Sequence, residues 1–146
     1  MKNINKYVFV LFALMSLSFA QLSKGSKTVD GTLAILAADG DNVTMIDLSL
    51  GQFLSDNFLV EGLVAYMNAD ESSTSFGLSG SYFMNERTYA SLGMLIPEEG
   101  DEELVVSLGM LSPFMMSENV YLNPSIGYLT DSEIFTLTIG LRLFFD

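Results

Sequence analysis

The chain of 146 residues contains no Cys, no His and no Trp, and it has only 6 Lys and Arg against 18 Asp and Glu. Without His or Cys, a Ser-His-Asp or Cys-His catalytic system, a Cys/His zinc site and a disulfide framework are all excluded. The acidic balance lacks the basic footprint that phosphate-backbone binding requires, so we expect no nucleic-acid partner. Disorder is excluded as well, because 49% of the residues are hydrophobic.

The first twenty residues have the pattern of a secretory signal peptide. Two lysines precede an apolar stretch over residues 7–19, and Ser18 and Ala20 place small residues at a cleavage site. The apolar stretch is too short for a membrane-spanning helix, and no Cys follows it for a lipid anchor. We predict a signal peptide over residues 1–20 and one domain over residues 21–146, with a retained N-terminal anchor as the alternative.

The rest of the chain alternates apolar and polar residues with a period of two, and turn residues interrupt this pattern about every ten positions. The pattern predicts eight strands joined by short connections, which make neighbouring strands antiparallel. The predicted strands cover residues 27–38, 42–53, 58–67, 74–83, 88–96, 103–114, 120–129 and 134–145. An up-and-down meander is the natural topology for this series.

The turns between the predicted strands are of two alternating kinds. Phe53, Phe83 and Phe114 each end a strand, and each is followed by a tight turn with acidic and amide side chains. The remaining turns are richer in Asp, Glu and Ser. Because hairpin turns alternate between the two ends of a meander, each kind belongs to one end. If the strands cross a membrane and the N-terminus lies on its inner side, we expect the tight turns on that inner side and the acidic turns outside.

The two faces of the predicted strands differ in the size and polarity of their side chains. In the last strand, Leu137, Ile139 and Leu141 oppose small or polar residues such as Thr138 and Gly140. A soluble barrel turns its apolar face inward, whereas a membrane barrel turns it toward lipid. With the polar face outward, the surface would be almost bare of Lys and Arg, which is unlike a soluble protein. The pattern favours the membrane barrel, with an exported lipocalin-like barrel that binds a small apolar ligand as the alternative.

Aromatic residues on the apolar face support the membrane barrel. They occur near both ends of the strands, where a lipid-facing band of about 25 Å carries its interfacial aromatics. We predict that these residues form two belts, with Tyr66, Phe76, Tyr128 and Phe135 beside the acidic turns and Phe58, Tyr82 and Phe145 near the opposite ends. Scattered aromatics that simply favour strands are the alternative.

Taken together, the signal peptide, the strand pattern, the repeated turns and the final strand over residues 134–145 resemble the small eight-stranded outer-membrane β-barrel proteins of Gram-negative bacteria. The resemblance covers residues 21–146 and implies an all-β, antiparallel, up-and-down transmembrane barrel in the outer membrane. It also implies that the barrel-insertion machinery reads an aromatic residue at the end of the last strand. Here Phe145 is followed by Asp146, which departs from the family pattern by one residue.

Three charged residues fall on the small, polar face of the strands, which would be the barrel interior. Asp47 and Glu61 could form a carboxylate pair for acid-base catalysis. The favoured interpretation is structural, in which both carboxylates compensate Arg142 inside a narrow lumen, Glu61 directly and Asp47 from a higher position. We therefore predict no catalytic residues, no cofactor and no metal, and a structural or surface-interaction role. An open pore is not expected, because side chains fill an eight-stranded barrel.

Most of the acidic residues cluster at one set of turns. Carboxylate oxygens suit Ca²⁺ and Mg²⁺, so these turns could bind divalent cations and bridge them to lipopolysaccharide. The plainer interpretation is a set of hairpin tips kept soluble by charge. The carboxylates concerned are Asp39, Asp41, Asp70, Glu71, Glu98, Glu99, Asp101, Glu102, Glu103, Asp131 and Glu133.

Overall fold

The computed structural model describes residues 25–38, 41–68, 72–114 and 119–145, without the side chains of residues 37, 38, 41 and 42. The predicted signal peptide and Asp39, Asp70, Glu71 and Asp146 lie outside these ranges. No helix among the described residues is long and apolar enough to cross a membrane. The strands are β1 (Lys27–Ala38), β2 (Asp41–Ser55), β3 (Phe58–Asn68), β4 (Ser73–Phe83), β5 (Thr88–Pro97), β6 (Glu103–Met110), β7 (Ser112–Pro113), β8 (Val120–Leu122), β9 (Ser125–Leu129) and β10 (Ile134–Phe145).

These ten segments form a closed antiparallel barrel of eight strands. β6 and β7 together make the sixth barrel strand, and β8 and β9 make the seventh. The sheet closes because β1 pairs with β10, from Lys27 opposite Phe145 to Ala37 opposite Phe135. The prediction of an eight-stranded, up-and-down transmembrane barrel is confirmed.

The sixth and seventh barrel strands are each interrupted, although the sequence pattern predicts continuous strands over residues 103–114 and 120–129. Proline has no N–H to donate to a strand ladder, and Pro124 separates β8 from β9. Its carbonyl accepts a bond of 3.1 Å from the N–H of Met110, next to the break in the sixth strand. Asn123 keeps the seventh strand attached to β10 through two backbone bonds with Gly140, of 2.8 and 3.2 Å.

Large apolar side chains cover the outside of the barrel. Leu78, Ile126 and Leu137 are each about 60% exposed, and Phe135 is 73% exposed. Soluble monomers rarely expose a continuous apolar surface of this extent, whereas a lipid-facing band requires one. The lipocalin-like alternative needs these side chains inside, so the arrangement of the two faces argues against it.

The aromatic residues assigned to the two belts also lie on this outer surface. Tyr66 and Phe135 are exposed at the end that carries the acidic turns, which we call the acidic end. Phe58, Tyr82 and Phe145 are exposed at the opposite end, which carries residues 54–57, the start of β1 and the end of β10 and which we call the terminal end. This placement is typical of side chains at the two boundaries of a bilayer.

The interior contains large apolar side chains, although the sequence pattern predicts a small, polar inner face. They form two layers. The aromatic layer lies near the terminal end and consists of Phe53, Leu59, Phe83, Tyr89, Leu111, Tyr121 and Phe144. The aliphatic layer lies toward the acidic end and consists of Ala34, Leu36, Met45, Ala65, Leu95 and Leu129, with Val43, Leu63, Met67, Val105 and Ile134 packed against it. The expectation fails because side chains at both ends of a narrow barrel must fill the lumen.

Ring contacts hold the aromatic layer together. The centroids of Phe53 and Phe83 are 5.3 Å apart, and those of Phe83 and Tyr89 are 5.0 Å apart. Phe144 stacks on Phe53 at 6.3 Å, and Tyr121 packs edge-on against Phe144 at 5.3 Å. Aromatic pairs at these separations contribute beyond their buried area. These contacts fill the lumen near the terminal end of the barrel.

Candidate functional site

A buried polar layer lies between the aromatic and aliphatic layers. Its members occupy inward positions on different strands, where side chains alternate between the two faces of the sheet, except for Asn123, which lies in the break between β8 and β9. All of them are at most 6% exposed, although they include three charged side chains. The layer consists of Asp30, Ser49, Glu61, Ser81, Asn123 and Arg142.

Arg142 on β10 is the centre of this layer. Its Nε donates to Asp30 Oδ2 at 2.7 Å, and its Nη2 donates to both carboxylate oxygens of Glu61 at 2.9 and 3.1 Å. Asp30 is the register partner of Arg142 across the closing pair of strands, whereas Glu61 reaches it from β3. Both contacts are charge-assisted hydrogen bonds, which are roughly twice as strong as neutral ones.

Neutral groups add further hydrogen bonds to the two carboxylates of this layer. Asn123 Nδ2 donates to Asp30 Oδ2 at 2.7 Å, and Tyr89 donates its hydroxyl to Asn123 Oδ1 at 2.6 Å. Ser49 donates to Glu61 Oε1 at 3.3 Å. The guanidinium carbon of Arg142 lies 5.3 Å from the centre of the Tyr89 ring, within the range of a cation–π contact.

The structure brings together two of the three residues that the sequence predicts as a cluster. Glu61 and Arg142 meet at the same depth, as expected from their distances to the terminal end. Among the described residues, Asp47 has no ion pair with Arg142. It lies opposite Thr32, one inward-facing position closer to the acidic end than the neighbouring pair of Asp30 and Ser49. The stabilising role of the cluster stays a prediction.

Sequence reasoning missed Asp30, which is the other carboxylate partner of Arg142. The pairing of the first and last strands could have predicted this contact. When β1 lies antiparallel to β10 in a closed barrel, Asp30 is opposite Arg142. Asp47 faces the lumen one step higher, at the higher position that the sequence analysis assigns to it, and its register neighbour there is Thr32. Glu61 is engaged by Arg142 and Ser49, so the suggested catalytic pair of Asp47 and Glu61 has no support from the contacts.

A cavity of about 140 Å³ adjoins the polar layer on the side of Asp47. Its wall is rich in hydroxyl groups. Two pairs of them bond to each other, Ser91 with Ser107 and Ser125 with Thr138. Among the described residues, no three Asp or Glu side chains are placed to share a metal ion.

The turns at the two ends of the barrel differ in chemistry. At the terminal end, Asn85 Oδ1 accepts bonds from the N–H groups of Arg87 and Thr88, both at 2.9 Å, and this closes the tight turn. At the acidic end, residues 98–102 are exposed, and Glu103 Oε1 accepts a bond of 2.9 Å from the N–H of Ser132 in the next acidic turn. This bond joins two neighbouring acidic turns of the described chain.

Comparison with known proteins gives structural matches only. No protein-family model matches the sequence, and none of the curated proteins does. The N-terminal β-barrel domain of Pseudomonas aeruginosa OprF matches with a TM-score of 0.68 at 15% identity, over 84% of this chain and 98% of that one. The chain has the fold of the small eight-stranded outer-membrane β-barrels.

Two further structures have the same architecture. A de novo designed transmembrane β-barrel matches with a TM-score of 0.66 at 15% identity, over 86% of this chain and 99% of that one. The Yersinia pestis outer-membrane protein Ail, in a phospholipid bilayer nanodisc, matches with a TM-score of 0.56 at 15% identity, over 84% of this chain and 100% of that one. These likenesses support the predicted outer-membrane location, and at this level of identity they concern the fold and not a specific activity.

Proposed function

We propose that this chain is an integral outer-membrane β-barrel protein with a non-enzymatic, structural or surface-interaction role. The observation that carries the proposal is the apolar outer surface of a closed barrel, with aromatic side chains at both of its ends. A closed barrel has no unpaired strand edge, so all its ladder groups are satisfied within a bilayer. This surface requires lipid around it.

The contacts in the interior support a non-enzymatic role. An acid-base mechanism needs a carboxylate that is free to exchange a proton with a substrate. Asp30 and Glu61 are each held by Arg142 and by a neutral donor, so neither is free to act with Asp47 as an acid-base pair. His and Cys are absent from the whole sequence, so it has no imidazole to act as a general base and no thiol to act as a nucleophile.

The surface-interaction role rests on the acidic end. Residues 98–103 and 131–133 contain seven carboxylates and no Lys or Arg. We propose that they face outward and associate with lipopolysaccharide through divalent cations, because hard cations prefer oxygen ligands. We further propose that Phe145, outward-facing at the end of β10, is read by the barrel-insertion machinery.

Cell fractionation tests the proposed function. We expect the protein in the outer-membrane fraction, soluble only with detergent, and we expect its gel migration to change on heating because the closed barrel resists detergent unfolding. A soluble periplasmic protein followed in the same preparation serves as the control. Recovery of this chain with that control, without detergent, would contradict membrane insertion and favour the lipocalin-like alternative.

Sidedness gives a second prediction. We expect an epitope tag inserted after Gly100 to be accessible on intact cells, because this turn is exposed at the acidic end. The matched tag after Asp56, in the exposed tight turn at the terminal end, is expected to be reached only after the outer membrane is opened. Antibody labelling before and after permeabilisation measures both. The reverse pattern would overturn the orientation.

A further inference from the structure

No further inference is drawn: the strongest candidate, the hydroxyl-lined cavity beside Asp47 in the barrel lumen, belongs to the polar site already described, and no contact among the described residues shows what it would bind.

Discussion

Replacing Arg142 by Ala is expected to destabilise the folded barrel by about 3–5 kcal/mol, because the substitution leaves Asp30 and Glu61 buried without their cation. The free energy of unfolding, measured by urea titration in detergent or lipid vesicles, gives this value. The control Arg87→Ala removes a side chain from an exposed turn and is expected to change stability by less than about 0.5 kcal/mol. Similar effects of the two substitutions would contradict the role assigned to the cluster.

A double-mutant cycle isolates the contact between Arg142 and Glu61. Because Nη2 of Arg142 bonds to both oxygens of Glu61, Arg142→Ala and Glu61→Gln are expected to couple by more than about 0.5 kcal/mol. The same cycle with Asp30→Asn tests the carboxylate that sequence reasoning missed. Additive effects in both cycles would show that Arg142 acts through burial and packing alone.

An arginine at the middle of the outer surface is expected to have the second largest effect. Ile139 is 54% exposed halfway along β10, so Ile139→Arg is expected to destabilise the barrel in a bilayer by about 2–4 kcal/mol. The control Leu54→Arg changes a residue at the terminal end of β2 that is 66% exposed and is expected to cost about 0–1 kcal/mol. Urea unfolding in lipid vesicles measures both.

The outcome of this comparison also separates the two fold interpretations. In a water-soluble barrel, an exposed Ile139→Arg would face water, and its effect would lie within about 0.5 kcal/mol of zero. Equal small effects for Ile139→Arg and Leu54→Arg would therefore contradict a lipid-facing surface.

The strand boundaries could be predicted from the sequence because β-strands are the common explanation for an alternation of apolar and polar residues with a period of two. A period of two means that one face of a strand is apolar and the other is polar. The turns contain residues that end strands. For β1 and β10, the predicted and observed bounds coincide. The apolar outward face could also be predicted, because residues such as Leu137 and Ile139 share one parity.

The contents of the lumen were harder to predict because they depend on register and on depth. Parity shows that Arg142 points inward, but only the pairing of β1 with β10 shows that Asp30 lies opposite it. The aromatic layer was missed for a similar reason. Phe53 and Phe83 are strand-end residues in the sequence, and only the closed barrel brings their rings to 5.3 Å.

The position of Arg142 on the last strand makes the completeness of the chain a condition for a stable product. Its partner Asp30 lies 112 residues away on the first strand, and Glu61 lies 81 residues away. A chain that ends early would present two unpaired strand edges, which promote aggregation, together with two interior carboxylates that have no counter-charge. Prematurely terminated or clipped chains are therefore expected to lack a stable closed barrel.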